Sequence, residues 1–450
     1  MIAPARARLS GSISRIGADL LLGLAALVAA ACSYSTTGRF FNQIAILIAS
    51  VALVAVVLAG WQPHVHRITV VLAALASVFV QLYKPPKGNV DRADGFWWVI
   101  GVAALATALV AVLALFPERF APRLRPAWLL LLLVLAAVVV GIVATSGRPQ
   151  IDVWQIFQQA SARLFHGVNP YQIRHFSHIP ADQTATCFNY LPATFLSTWP
   201  GWFVLDDARY SEVAVLLIGW AVLAVTVLRR GTRPGPGLVL LAAALSLTGT
   251  LRVGQQAWNE SLLLGFVLIA VAGVATGRTV WLILGLGLAL ATKQHMALLV
   301  PVMLMWPQLG WRRTGASVAL AAVVSAPWVL WDVGRFKACT VDFFTHGIAR
   351  FDSISLWHFV PGPVAPAVIV LALLGAYYLV YRCLPRDLGS LLIGFAVVLF
   401  AFDLFNKQSF ENQWWFAAEL IVCGLTVQVA GLDGASHRTG AGSVSPAVPA

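Results

Sequence analysis

An all-α bundle of membrane-crossing helices is the fold class this sequence predicts, on three observations. Of 450 residues, 59% are hydrophobic, against 30 basic and 18 acidic ones. Mean hydropathy is +0.82. The apolar residues fall in runs close to the ~20 residues that a helix needs to cross a bilayer, and a content this high stocks roughly 13 such helices. A soluble core has no room for them, which excludes a soluble enzyme, a DNA-binding protein and a single-span receptor. The net charge of +12 and pI near 10.0 do not bring nucleic acid back as a partner. The arginines sit in short loops between apolar runs, where the positive-inside bias collects them.

The chain begins like a secretory signal, with Arg6, Arg8 and Arg15 ahead of an apolar stretch, and Ala29-Ala30-Ala31-Cys32 approaches a lipoprotein cleavage box. No Leu stands three positions before Cys32 and further runs follow at once, so a retained first helix is expected. Apolar runs lie at about 16–34, 40–61, 66–83, 95–116 and 125–146. A polar stretch, 147–188, then forms a first long loop. The segment 189–205 carries Pro192, Pro200, Trp199 and Trp202, which suit an interfacial or re-entrant piece better than a crossing. More runs follow near 209–228, 236–251, 260–277, 279–292, 294–307 and 312–331. A second polar loop, 332–362, precedes runs near 363–382, 388–404 and 412–430. About 14 transmembrane helices are therefore expected. The last residues, 431–450, are rich in Gly, Ser, Ala and Pro and read as a disordered tail.

Orientation follows from the arginine clusters. Arg6/Arg8/Arg15, Arg119/Arg123/Arg125, Arg229/Arg230/Arg233, Arg312/Arg313 and Arg382/Arg386 all fall on one side if 189–205 does not cross. That side should be the cytoplasm, and with it both termini. Both long loops then face outward, and polar residues concentrate on the outer face. Five of the basic residues are lysines: Lys84, Lys87, Lys293, Lys337 and Lys407.

Cys32, Cys383 and Cys423 lie within or at the ends of apolar runs, where a thiol behaves as a small hydrophobe. Cys187 closes the first outer loop and Cys339 opens the second, so an oxidising compartment would let them pair as a disulfide. His166, His175 and His178 share the first loop; solvated loop histidines are the expectation, and no metal site is read there.

The stretch 148–192 carries most of the chemistry. Asp152 stands just past the fifth run, and an amphipathic segment follows it (Val153, Ile156, Phe157, Ala160, Leu164), ending at Gly167 and Asn169-Pro170-Tyr171. This pattern predicts a helix lying on the bilayer surface. On these residues alone Asp152 is read either as the N-cap of that helix or as a carboxylate facing a cavity.

An Asp after a span, then Gly-x-Asn-Pro-Tyr at Gly167–Tyr171, then Tyr190-x-Pro192 before a Pro-rich apolar run, resembles the GT-C glycosyltransferases that use polyprenyl-phosphate sugars. The pattern is most similar to glycosyltransferase family 87, the bacterial alpha-mannosyltransferases and their arabinofuranosyltransferase relatives. Gly254-Gln255 and Asn259 before Leu262-Leu263-Leu264 resemble a further block, with Gln and Asn more widely spaced than is usual there. Leu290 to His295 resembles the family's short helix ending in Lys, without the Pro that often follows that Lys. The resemblance covers about 125–430, which divides the chain into N-terminal helices of unknown role (1–124), a GT-C-like core (125–430) and the tail (431–450).

The resemblance implies a membrane glycosyltransferase acting on the outer face of the plasma membrane. Mannose is the first expectation for the sugar and arabinofuranose the second. The partners implied are a polyprenyl-phosphate sugar donor, a cell-envelope glycolipid or polysaccharide acceptor and the bilayer; no cofactor, metal or nucleic acid is expected. Asp152 becomes the general base of an inverting transfer, with His358 as an assistant. Lys293 is the leading cation for the leaving phosphate, and because a charge near a span end is costly it should have a partner. Arg252, Arg350 and Lys407 are alternates that otherwise snorkel to the interface. Gln255 and Asn259 are expected to bind substrate, and Asn412 to belong to a polar rim that holds sugar hydroxyls. Tyr171 and Tyr190, with Trp357, Trp414 and Trp415, are expected either to stack on sugar rings or to serve as interfacial belt residues. The competing expectation is a lipid-linked glycan flippase or other transporter, which would favour inverted repeats and mid-bilayer charges. The sequence has no visible repeat.

Overall fold

The structure is a computed structural model that describes residues 3–33, 39–83, 85, 95–116, 121–149, 151–173, 187–346, 353–360 and 362–432. The sequence expectations for His175, His178, Arg350 and the tail 433–450 lie outside these residues. Among the described residues there is no β-strand.

The helices are α1 (Ala3–Ser33), α2 (Arg39–Ala59), α3 (Arg67–Tyr83), α4 (Phe96–Ala114), α5 (Ala121–Ala144), α6 (Asp152–Phe165), α7 (Ala193–Leu205), α8 (Arg209–Arg230), α9 (Pro234–Leu245), α10 (Gly249–Gln256), α11 (Glu260–Thr276) and α12 (Thr279–Leu290). A 3-10 turn, Gln294–Leu299, leads into α13 (Val300–Met305), followed by α14 (Gly310–Trp331) and α15 (Val333–Lys337). A π turn, Ala338–Asp342, joins α15 to α16 (Phe343–His346), after which come α17 (Ala365–Cys383), α18 (Leu388–Phe405) and α19 (Glu411–Val429).

Helices that are apolar on every side are buried ones. α18 and α11 follow this rule, and α19, which also carries buried polar residues, joins them: most residues of each are buried, and they form the centre of the bundle. α1, α9 and α18 pack on α19, and α8 and α12 pack on α11. At the periphery, α14 buries Thr314 and Ser317, and α17 buries Ala365, Ala376 and Val380. Their remaining apolar faces, including Val323, Leu330, Leu371 and Tyr378, are exposed as lipid-facing surfaces are. Glycine allows close crossings: a Cβ on Gly219 of α8 would stand 2.5 Å from the Gly265 carbonyl oxygen of α11. Small residues allow such backbone approach where lipid offers no hydrophobic drive for association.

Seven described helices are long and apolar enough to cross a membrane, and an eighth if α9 and α10, bent by 52° at their junction, count as one. The sequence expectation of about fourteen is not reached on this measure, and the reason is length. The runs read from sequence at 279–292 and 294–307 are α12 with 12 residues and a broken helix, Gln294–Met305. Twelve helical residues rise about 18 Å, against a hydrocarbon layer of about 30 Å.

Hydrogen bonds sort the helix termini into two ends. At one end the Gln62 N–H donates to Ser14 O, Trp61 Nε1 to Gln428 Oε1, the Arg233 N–H to Ala430 O and Trp306 Nε1 to Asp387 O. This end carries Arg229, Arg230, Arg233, Arg278, Arg312, Arg313, Arg382 and Arg386 and is called here the arginine end. The opposite end gathers the finish of α5, α10, α12 and α18, the start of α8, α11 and α19, and the helices α6 and α7.

Candidate active site

α6 forms where the sequence is amphipathic, with Trp154, Ile156, Phe157 and Ala160 buried beneath it. Ile151, not Asp152, is its N-cap; Asp152 is the first helical residue, half-buried, and its Oδ1 accepts from the Val153 N–H at 2.8 Å. A carboxylate in the first turn is favoured there by the helix dipole. α6 is held in place by the connection between α7 and α8. Gln158 donates to Asp206 O at 2.9 Å and accepts from the Ala208 N–H at 2.9 Å, while Trp154 Nε1 donates to Asp207 Oδ1 at 3.1 Å.

Asp207 is itself bound to Arg209, whose Nε lies 2.8 Å from Oδ2. The rest of the buried Arg209 guanidinium donates to the carbonyls of Ser146, Gly147 and Gln255 at 3.2–3.3 Å. One arginine thus ties the finish of α5, the start of α8 and α10 together. A buried pair needs such added hydrogen bonds to offset the loss of water. The predicted Gln255 belongs to this knot: it is fully buried and its Nε2 donates to Ser146 Oγ at 2.9 Å.

Below α6 lies a second buried charge group. Lys293, just past the end of α12, is ion-paired with Glu260, the first residue of α11. The second oxygen of Glu260 accepts from Asn412 Nδ2 of α19 at 2.6 Å. The Lys293 ammonium also lies 5.7 Å from the centroid of the Tyr190 ring, which in turn packs edge-on against Phe157 of α6 at 5.2 Å. At the edge of this group Arg252 faces Glu411 at 3.9 Å. Lys293, Tyr190, Asn412 and Arg252 are therefore brought into one polar basin at the inner side of α6.

The basin exists because helices stop short. α10 ends at Ala257, a non-glycine residue at φ +57°, and this turn delivers Asn259 and Glu260 to the basin. Left-handed backbone at a residue with a Cβ is uncommon and gathers at functional sites. The carbonyls of Ala291 and Thr292, left free by the finish of α12, accept from the N–H groups of Ala193 and Leu191, at 2.9 and 3.1 Å. Asn259 is buried, and neither its Nδ2 nor its Oδ1 has a hydrogen-bond partner among the described residues. Asp403 Oδ1, Asn189 Oδ1 and Gln294 Oε1 share that condition. Buried polar atoms without partners are rare in folded proteins, and a group of them marks a place where a polar ligand or water is held.

The described parts of the two long loops form a lid of aromatic residues joined by a disulfide, Cys187–Cys339, with a Cα separation of 5.6 Å. Tyr171 sits at the centre of this lid. It is fully buried among Phe188, Phe195 and Phe336, its hydroxyl donates to Tyr190 O at 3.1 Å, and its carbonyl accepts from Arg335 Nε. Burial pushes its hydroxyl well above the ordinary tyrosine range. The sugar-stacking position expected for Tyr171 is thus a packing position, with no ring face left open. Trp414 and Trp415 differ from expectation in the same way: both are buried in the centre of the bundle, and Trp415 Nε1 donates to Thr250 Oγ1. Gln294 Nε2 bridges the loops by donating to Asn189 O and Thr340 O, at 3.0 and 3.2 Å.

His358 lies on an exposed turn, Trp357–Phe359, whose preceding Leu356 N–H donates to Leu404 O at the finish of α18. Lys407 donates to Thr345 O at 3.2 Å, and burial holds its ammonium below the usual lysine range. The sequence reading did not find Glu260 or the Asp207–Arg209 knot. A Glu opening an apolar run directly after Asn259 was the available signal for the first, since such a charge demands a cation.

No protein-family model matches the chain. No curated protein matches it. Among solved structures, the crystal structure of ArnT from Cupriavidus metallidurans bound to undecaprenyl phosphate is similar, at 16% identity and a TM-score of 0.44. That similarity covers 68% of this chain and 60% of the other, so the chain spans less than two thirds of ArnT's length.

Proposed function

We propose that the chain is a membrane glycosyltransferase that transfers a sugar from a polyprenyl phosphate to a hydroxyl of a cell-envelope glycolipid or polysaccharide. The reaction takes place at the basin end, which faces the outside of the plasma membrane, and mannose is preferred over arabinofuranose as the sugar. The observation that carries this reading is the basin itself: the buried Glu260–Lys293–Asn412 group beside the Asn259 amide, which has no hydrogen-bond partner among the described residues, roofed by the helix that Asp152 begins. Its position beyond the end of a 12-residue α12 lets a donor keep its prenyl chain in lipid while its phosphate and sugar enter a polar space.

The chemistry assigns roles by charge. Asp152 takes the proton from the acceptor hydroxyl as its oxygen attacks the anomeric carbon from the face opposite the phosphate. The bond from that carbon to the phosphate oxygen breaks, the configuration inverts and the lipid phosphate leaves. General-base assistance of this kind contributes about 10² to 10⁴ in rate. Three other carboxylates of this end accept from cations or amides and are suited to positioning: Asp207 from Arg209, Glu260 from Lys293 and Asn412, and Asp206 from Arg148. An ammonium has three N–H donors, and Glu260 takes one of those of Lys293, so the leaving phosphate is met by a cation whose orientation is already fixed. The Asn259 amide is suited to a sugar hydroxyl, accepting and donating at once.

The test is sugar transfer in membranes supplied with radiolabelled polyprenyl-phosphate mannose and, separately, polyprenyl-phosphate arabinose. Asp152→Asn is expected to lower transfer by about 10² to 10⁴ while insertion and thermal stability stay near wild type. Full transfer by that variant overturns the assignment. Movement of a lipid-linked glycan across liposomes with no sugar transferred assigns the chain to transport instead.

A further inference from the structure

A second site lies at the arginine end, away from the basin. α8 and α12 both pack on α11, and between them runs a furrow of about 300 Å³. Its long wall is one face of α8: Ala221, Val222, Val225 and Thr226 recur at helical spacing and lead to Arg229 and Arg230 in the last turn. Opposite stand Arg278 and Trp281, with the guanidinium 4.9 Å from the centroid of the indole. The floor closes at Thr276. Both wall hydroxyls are engaged by their own helices, Thr226 donating to Val222 O at 2.7 Å and Thr276 to Ala272 O at 2.6 Å. The furrow therefore offers apolar walls along its length and three guanidinium groups at its mouth.

Two features narrow what fits there. Among the described residues, no carboxylate lies within ion-pairing distance of Arg229, Arg230 or Arg278, although all three converge on one cavity. The furrow also opens sideways: Ile218, Val225 and Val280 around it are exposed, as lipid-facing side chains are. A soluble anion would find the arginines but not use the walls. A neutral lipid would use the walls and leave three cations without a counter-charge.

We propose that this furrow seats one acidic phospholipid of the cytoplasmic leaflet, its phosphate among Arg229, Arg230 and Arg278 and an acyl chain along Ala221, Val222 and Val225. Basic pockets between membrane helices on the cytoplasmic side take anionic headgroups on this principle. Trp281 stands at headgroup depth, where indole is favoured. The lipid would fill the gap between α8 and α12, the two helices whose far ends carry the Asp207–Arg209 knot and Lys293, and so brace the basin from the opposite side.

Full-length protein in mild detergent is titrated with phosphatidylglycerol and, separately, with phosphatidylethanolamine, and bound lipid is counted by native mass spectrometry. One phosphatidylglycerol is expected to remain bound where phosphatidylethanolamine does not. The triple variant Arg229→Gln, Arg230→Gln, Arg278→Gln is expected to bind it roughly a hundredfold more weakly, from the contribution of three cations near the bilayer surface. Ala221→Trp, at a lipid-exposed position, keeps the arginines and fills the furrow; it is expected to weaken binding as well. The control is Arg312→Gln with Arg313→Gln, at the same end and beside Trp311 but outside the furrow. Equal retention of both lipids, an equal loss in the control, or displacement of phosphatidylglycerol by millimolar inorganic phosphate would each overturn the proposal.

Discussion

The two ends of the bundle treat positive charge in opposite ways. At the arginine end Arg229, Arg230, Arg278, Arg312 and Arg313 are exposed and stand at helix termini, with Arg278 and Arg312 over tryptophan rings and Arg313 donating to a backbone carbonyl. At the basin end Lys293 and Arg209 are buried and each is bound to a carboxylate. Exposed cations cost little to hold and gain little from partners, so they inform on topology and on the lipid around them. A cation removed from water is retained only where hydrogen bonds and an opposite charge compensate it. The difference teaches where to look for chemistry in such a chain: at the end where charges are buried.

That contrast can be broken by mutation, and the largest effect is expected at Lys293. Lys293→Ala leaves Glu260 buried without its cation, and a loss of about 3–5 kcal/mol is expected in detergent unfolding. Pairing it with Glu260→Gln should restore most of that stability while transfer stays lost; a double variant as unstable as the single one would mean that Lys293 acts through packing. The lid comes next. Cys187→Ser is expected to cost about 2–5 kcal/mol, and reductant should lower the melting temperature of the wild type but not of this variant. Smallest is Arg312→Gln at the arginine end, expected within about 0.5 kcal/mol of wild type. A larger change there would remove the distinction between the ends.

Much of the scaffold was legible because it depends on local pattern. The amphipathic spacing of Val153, Ile156, Phe157 and Ala160 does form a helix with Asp152 in its first turn, and the described arginines of the later clusters, Arg229, Arg230, Arg233, Arg312, Arg313, Arg382 and Arg386, stand at helix termini of one end. The ends of the helices were not legible, since a run such as 279–292 shows its hydrophobicity in sequence but not the point where the helix stops and the chain turns into the basin. Partners were not legible either. Lys293 and Glu260 are 33 positions apart, and only packing of α12 on α11 joins them. Aromatic type says equally little about depth: Tyr190 borders Lys293, while Tyr171 and Trp415 are sealed in the interior.

The bridge between the loops has a consequence for biogenesis. Its cysteines are 152 positions apart, and helices α7 through α15 are synthesised between them. Cys187 must therefore wait as a thiol until α14 has left the ribosome and been threaded into the bilayer. Oxidation of that thiol then times the insertion of the helices up to α14, and a pulse-chase with an alkylating probe would read it as a clock.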